Sequence, residues 1–359
     1  MAVGTLFSRL TGFLRASLLA AAIGLTLQGE VFNVANTIPN SLYILVAGGV
    51  FNTVLVPQLV RAIKTDVDGG DAYANRILTL GAIVLAGVTA ILVLAAPLLL
   101  RLMVDGSFFT DPALEQERES LIDFARWCLP QIFFYGMFVL VGQILNARGR
   151  FGPMMWAPIV NNVISIAVIG TYLVLYAGAP AGGGYTARQE VLLGLGSTIG
   201  IAAQVLVLLP YLKASGFTIS PRFDFRGTGL SHTLRLGIWT VGFVVVNQLA
   251  FYVMVHLATA GVADGAARGG GGSGYTVYSN AFLLTQVPHS IVTVSLATAT
   301  IPLISGLAAD GRLADVGEPA VGGEPRDERD RGGGEGDGHD RMWHLGEQER
   351  VRVHRVAAP

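Results

Sequence analysis

Long apolar stretches dominate the first 308 residues of the chain. A membrane-spanning helix needs about 20 mostly apolar residues. Eight stretches meet this requirement, at about 3–27, 31–62, 76–103, 120–146, 154–178, 189–212, 231–259 and 275–308. Several exceed the thickness of a bilayer and contain proline, so we expect tilted or kinked helices. The pattern predicts an all-α polytopic membrane protein with about eight transmembrane helices.

The connections between these stretches alternate in charge. Basic residues occupy or flank the second, fourth and sixth connections: Arg61, Lys64, Arg76, Arg148, Arg150, Lys213, Arg222, Arg226 and Arg235. The third connection is acidic, the fifth is nearly neutral and the seventh is rich in glycine. Connections rich in Lys and Arg stay on the cytoplasmic side of a membrane. We therefore expect the N-terminus and the even-numbered connections to face the cytoplasm.

The overall composition supports a membrane protein and narrows its chemistry. Hydrophobic residues make up 52% of the chain and charged residues 14%, whereas soluble domains have about 25% charged residues. The net charge of −1 gives no reason to expect a nucleic-acid partner. The single cysteine, Cys128, excludes an intrachain disulfide and a cysteine-based metal cluster. No zinc-binding, nucleophile or phosphate-loop motif is present, so we expect neither an enzyme nor a cofactor.

Two arginines interrupt the first apolar stretch. Arg9 and Arg15 lie within "SRLTGFLRASLLAAAIG", and an arginine at the centre of a membrane helix costs about 2.5–3.5 kcal/mol. Six residues place them about 120° apart around the helix axis. We predict that both line a wide hydrated cavity, where guanidinium groups bind phosphate through forked donors. In the alternative interpretation, both side chains extend to the cytoplasmic surface.

The second stretch carries a polar stripe. Its members share one helix face: Glu30, Asn33, Thr37, Asn40 and Ser41, with Gly48 and Asn52 continuing the line. A carboxylate inside a membrane is expected to pair with a cation, and Arg9 and Arg15 are the nearest candidates. The candidate substrate-binding residues are therefore Arg9, Arg15, Glu30, Asn33 and Asn40. Later in the chain, Gly196 and Gly200 form a small-xxx-small pattern that predicts close helix packing.

Several motifs together resemble the MurJ (MviN) lipid II flippase family, within the MOP exporter superfamily. They are "SRLTGFLR", "VFNVANTIPNSLYILVAGGVFNTVLVPQLVRA" and "GQILNARGRFGPMMWAPIVNN", and "DGGDAYANRILTL" is similar to the actinobacterial branch. The resemblance covers about residues 1–308. It implies two six-helix lobes around a cationic cavity, and transport of an undecaprenyl-pyrophosphate-linked peptidoglycan precursor, lipid II, to the outer leaflet of the plasma membrane. Its implied partners are lipid II, membrane lipids and cell-wall synthesis proteins.

The resemblance also assigns residues and shows departures. The two arginines of the family's first helix match Arg9 and Arg15, and its acidic residue in the second helix matches Glu30. Where the family often has a basic pair, this chain has Tyr43 and Ile44. Where the family's eighth helix often has an arginine and a glutamate, the aligned positions are Leu283 and Gln286. These departures predict a cavity with less charge than is usual in the family.

The resemblance predicts three regions. Residues 1–212 would form a first lobe of six helices, and 213–308 the first two helices of a second lobe. Residues 309–359 are rich in glycine, arginine and acidic residues, which predicts a disordered tail. Such a tail is either regulatory or the product of a frameshift. We favour a frameshift and a C-terminally truncated flippase, because the resemblance stops near residues 305–310.

Other functions stay open at this point. Another MOP-type polysaccharide or drug exporter would share the fold, although a drug exporter would need acidic rather than arginine-rich cavity residues. The chain could also be a non-transporting membrane scaffold for cell-wall synthesis. A membrane-embedded enzyme would need a cluster of acid, base or metal-binding groups at one membrane face.

Overall fold

A computed structural model describes residues 2–44, 56–66, 68–176, 184–224, 230–267 and 274–286, together with Thr293 and Thr300. The elements considered below all belong to one unit, Met1–Pro288. The predicted division into lobes at residue 212 stays a prediction, and the predicted tail lies outside the described residues. Gly48, Asn52 and the C-terminal part of the eighth stretch also lie outside them.

The described residues form helices and connecting turns. The helices are α1 (Ala2–Ile23), α2 (Leu27–Ile44), α3 (Val56–Thr65), α4 (Asp71–Leu94), α5 (Ala96–Met103), α6 (Ser107–Thr110), α7 (Glu115–Cys128), α8 (Gln131–Ala147), α9 (Gly152–Tyr176), α10 (Ala187–Glu190), α11 (Gly196–Leu206), α12 (Leu208–Ala214), α13 (Leu230–Ala267) and α14 (275–286). A π-helical turn, Val191–Leu195, joins α10 to α11.

Five helical segments of the described chain are long and apolar enough to cross a membrane: Asp71–Leu94, Pro112–Ala147, Gly152–Tyr176, Ala187–Ala214 and Gly242–Val262. Their outer faces carry exposed apolar side chains such as Leu94 and Val174, which suit lipid hydrocarbon. The fold class, a polytopic helical membrane protein, is confirmed. The count of eight is not, because five such segments are found and parts of the second and eighth stretches lie outside the described residues.

Two of the predicted long helices are each divided into two helices at or next to a proline. The third stretch separates at Ala95 into α4 and α5, with Pro97 in the first turn of α5. The fourth stretch separates at Leu129 and Pro130 into α7 and α8. Proline lacks the backbone N–H that would continue the preceding hydrogen-bond ladder. Pro39 and Pro158, in contrast, lie inside α2 and α9.

The basic connections meet at one end of the helix bundle. The Arg148 guanidinium donates to the Asp71 carboxylate and, at 3.2 Å, to the backbone carbonyl of Ser215. Arg76 Nε donates to the carboxylate of Asp224 at 2.9 Å, and this hydrogen bond lowers the pKa of Asp224. The second, fourth and sixth connections are therefore neighbours, as expected for a chain that crosses a membrane repeatedly.

The remaining connections meet at the opposite end. The Tyr185 hydroxyl, in the fifth connection, donates to the backbone carbonyl of Gln28 at 2.9 Å. The backbone N–H of Asp105, in the third connection, donates to the Thr259 hydroxyl at 3.0 Å. The even-numbered connections thus lie at one end of the helix bundle and the odd-numbered connections at the other. The alternation of charge along the chain predicts this arrangement.

Helices α9 and α11 approach closely at the predicted glycine pair. A Cβ added to Gly196 would lie 2.8 Å from both methyl carbons of Val168, and one added to Gly200 would overlap the side-chain oxygen of Asn161. Real Cβ atoms do not come that close to a neighbour, so these positions leave no room for a larger side chain. Close packing here places Asn161 and Ser165 against α11.

The Gly196→Ala substitution is expected to destabilise the protein by about 1–3 kcal/mol, because Val168 is branched at Cβ and has little freedom to move aside. Thermal unfolding of the detergent-solubilised protein would show a lower midpoint. Gly170→Ala is the matched control, since a Cβ at Gly170 of α9 meets no atom within 4 Å. Equal midpoints for the two variants would contradict the close approach.

Candidate functional site

A cavity of about 820 Å³ lies between α1, α2, α8, α9, α11, α13 and α14. Its wall has an apolar part that includes Phe243, Phe251 and Phe282. The rest is mostly neutral and polar, with amide, hydroxyl and phenol groups: Asn33, Asn36, Thr37, Asn40, Ser41, Gln131, Tyr135, Asn161, Ser165, Ser197, Asn247, Gln248, Tyr275, Tyr278, Ser279, Asn280 and Gln286. Such a wall can hydrogen-bond a polar ligand within the bundle.

Arg15 supplies the one charged side chain among the described residues of this wall. It is partly buried, whereas Arg9 is exposed and lies outside the cavity lining. Of the two predicted arginines, Arg15 thus belongs to the described lining of the cavity and Arg9 does not, and their role in substrate binding stays a prediction. The reason for the difference is geometric: the two side chains leave the helix about 120° apart, and α1 also packs along α9, which occupies part of its circumference.

Polar residues of α2 connect the cavity wall to the later helices. The Asn33 side-chain amide donates to the Thr276 hydroxyl at 3.2 Å, and the Thr37 hydroxyl donates to that of Tyr275 at 3.3 Å. One helical turn further, the hydroxyls of Ser41 and Tyr252 are 3.3 Å apart. Asn40, the remaining candidate on this helix, is exposed and lines the cavity.

Glu30 is buried next to the start of α14 and lies outside the described cavity lining, whereas its neighbour Tyr275 belongs to that lining. The backbone N–H groups of Tyr275 and Thr276 donate to its two carboxylate oxygens at 2.6 and 2.7 Å. The predicted arginine partner is thus replaced by the first turn of a helix. Unpaired N–H groups and the helix dipole give that turn a partial positive charge, which can stabilise a carboxylate as a cation does.

Gly274 makes this contact possible. Its φ of +148° lies in a region that L side chains rarely adopt, and a Cβ at this position would lie 2.8 Å from Glu30 Oε2. Only glycine allows the backbone to come this close to the carboxylate. In the sequence, the signal is the glycine that directly precedes "YT" at the start of α14.

A hydrogen-bonded polar pair, Asn36 and Gln131, joins α2 to α8 and was not predicted from the sequence. The Gln131 side-chain amide donates to the Asn36 side-chain oxygen at 3.1 Å, and both residues line the cavity. Asn36 is three residues from Asn33, so the helical period already placed it beside the polar stripe. Gln131, in contrast, is followed by an apolar run at residues 132–134 that gives no sign of a polar partner.

Three of the positions that depart from the family pattern, Tyr43, Leu283 and Gln286, lie in or beside the cavity wall. Tyr43 stacks on Tyr135 with ring centroids 4.7 Å apart, and Tyr135 lies within electrostatic range of Arg15. Leu283 and Gln286 line the cavity on α14. The described wall thus carries a single charged side chain, that of Arg15. One guanidinium among neutral hydrogen-bonding groups suits a ligand with an anionic part and an uncharged polar part.

Comparison with known proteins identifies the family. Residues 19–317 match the family model described as lipid II flippase MurJ, which is well over half of the chain. A probable lipid II flippase MurJ of Haemophilus influenzae is 27% identical over 309 residues, covering 84% of this chain and 56% of the relative. The corresponding protein of Vibrio cholerae is 28% identical over 312 residues, covering 84% and 54%.

A solved structure shares the fold. Lipid II flippase MurJ in an inward closed conformation aligns with a TM-score of 0.51 at 18% identity, covering 70% of this chain and 49% of that one. The chain therefore spans about half the length of the curated relatives and of the solved structure that it matches. With most of its length matched by the family model, the chain belongs to the lipid II flippase MurJ family.

Proposed function

We propose that this chain transports lipid II from the inner to the outer leaflet of the plasma membrane. The observation that carries the proposal is the cavity between the helices, with Arg15 as its one charged group in the described wall. A guanidinium binds pyrophosphate through paired, charge-assisted hydrogen bonds, and a polar cavity shields the headgroup from lipid. The polyprenyl tail remains in the bilayer while the headgroup passes through.

The proposed mechanism is alternating access, in which one group of helices moves against another around a site near the midplane of the membrane. Glu30 joins α2 to the first turn of α14 beside the cavity, and in this mechanism the contact holds the two helices together in one of the alternating states. Breaking it would let α14 move away from α2. Asn33 reinforces the same contact through Thr276.

The proposed orientation places the N-terminus and the basic end of the bundle in the cytoplasm. Its support is the positive-inside rule together with the meeting of the second, fourth and sixth connections at one end. The contact between Glu30 and α14 would then lie on the outer side. In this orientation the contact would join α2 and α14 on the outer side, and the protein would act as a transporter rather than an enzyme.

Complementation tests the function directly. The 359-residue chain is expressed in a strain depleted of its own flippase, beside an empty vector and a full-length relative. We expect growth to be restored when the chain is present in the membrane at the level of the relative. Since the chain spans about half of its relatives, failure to grow at matched membrane levels would show that this chain alone does not transport lipid II.

A further inference from the structure

Helix α13 packs one buried face against the other helices. The residues of this face follow the helical spacing, and Gln248, Val255, Thr259 and Val262 are all at most 8% exposed. Among these four, Gln248 is the one that lines the cavity. Of these four residues, the one nearest the N-terminus of α13 is therefore a polar side chain that is more than nine-tenths buried and borders the cavity.

The side-chain oxygen of Gln248 is buried and accepts no hydrogen bond from the residues that the structure describes. Buried polar atoms in proteins nearly always have a partner, and an unpartnered one is a costly exception that calls for an explanation. A carbonyl oxygen can only accept a hydrogen bond. Its missing partner must therefore bring an N–H or an O–H group.

The need for a hydrogen-bond donor distinguishes between the pyrophosphate and the saccharide of a pyrophosphate-linked glycolipid. An ionised pyrophosphate offers acceptor oxygens, so it suits Arg15 and cannot satisfy Gln248. A saccharide offers hydroxyl and acetamido N–H donors. The wall around Gln248 fits this second class, because the described cavity residues of α13 and α14 are all uncharged, including Asn247, Ser279, Asn280 and Gln286.

We propose that Gln248 and this neutral wall of α13 and α14 form a saccharide subsite, in which Gln248 Oε1 accepts a hydroxyl or acetamido N–H of the lipid-linked disaccharide. Arg15, on α1, takes the pyrophosphate. The inference rests on the proposed function and assigns the two chemical parts of the headgroup to different walls of the cavity. Gln248 thereby contributes to specificity for a glycosylated ligand over a bare polyprenyl pyrophosphate.

The test compares two ligands bound to the full chain in lipid nanodiscs. The ligands are undecaprenyl pyrophosphate and undecaprenyl-pyrophosphoryl disaccharide without its peptide, and the readout is the dissociation constant. For Gln248→Leu we expect about three- to tenfold weaker binding of the disaccharide ligand, the effect of one neutral hydrogen bond. Binding of undecaprenyl pyrophosphate should stay unchanged, which also shows that the variant is folded.

Thr259→Val provides the matched control, because it removes a buried hydroxyl from the same face of α13 outside the cavity. It should change neither dissociation constant. Equal affinities of Gln248→Leu and the unsubstituted chain for the disaccharide ligand would overturn the subsite, and so would an equal loss for both ligands. If the unsubstituted chain binds neither ligand, the proposed function fails and the subsite with it.

Discussion

Replacing Glu30 with alanine is expected to release the first turn of α14 from α2. The substitution removes the acceptor of two buried N–H groups, those of Tyr275 and Thr276. A hydrogen bond to a charged group contributes about 1.5–3 kcal/mol, so we expect a local loss of about 3 kcal/mol. Opening of this turn should become about 150-fold more frequent.

Hydrogen exchange of the peptide covering residues 274–280 measures this opening. In the Glu30→Ala variant its amides should exchange about 150-fold faster than in the unsubstituted protein. The matched control is Glu190→Ala, which removes another buried glutamate, one that accepts from the Ser120 hydroxyl at 2.7 Å. Unchanged protection in Glu30→Ala, or equal acceleration in both variants, would contradict the role of Glu30 in holding α14.

The Arg15→Ala substitution is expected to abolish growth of a flippase-depleted strain. Arg15 is the one charged side chain in the described cavity wall, so its removal leaves a pyrophosphate there without a cation. Loss of charge-assisted hydrogen bonds should weaken binding of undecaprenyl pyrophosphate about 100-fold. Complementation and a dissociation constant in nanodiscs measure the two effects.

Arg9→Ala is the matched control, since it removes an arginine from the same helix at a position outside the cavity lining. At equal membrane levels it should support growth and retain affinity for undecaprenyl pyrophosphate. Normal growth of Arg15→Ala would reject the anion-binding role of Arg15. Equal loss in both variants would indicate that the arginines act through insertion or orientation of α1 instead.

Much of the fold could be predicted because it depends on local properties of the chain. Hydropathy over about 20 residues indicates where helices cross the membrane. Proline indicates a possible interruption, which the structure shows at Pro97 and Pro130 but not at Pro39 or Pro158. Helical periodicity grouped Asn33, Thr37 and Asn40 on one side of α2, and all three line the cavity. Each of these properties depends on the sequence of one helix and not on the helices that pack against it.

The candidate site was only partly predictable, because its partners come from distant parts of the chain. The sequence showed that Glu30 needs a compensating positive group, but its nearest arginines proved to be the wrong choice. The actual partners are backbone amides 245 and 246 positions away, which no side-chain pattern reveals. Similarly, Arg9 and Arg15 look equivalent in sequence, and only the packing of α1 separates them.

By itself, the sequence determined a polytopic helical membrane protein, the alternation of its basic connections, the polar face of α2 and the presence of two arginines in its first helix. The tertiary structure decided which arginine lines the described cavity, what stabilises the Glu30 carboxylate and that the Gln248 side-chain oxygen has no partner among the described residues. The physical reason is that hydropathy and helical period are summed along one segment. Hydrogen bonds and cavities, in contrast, depend on the positions of several helices at once.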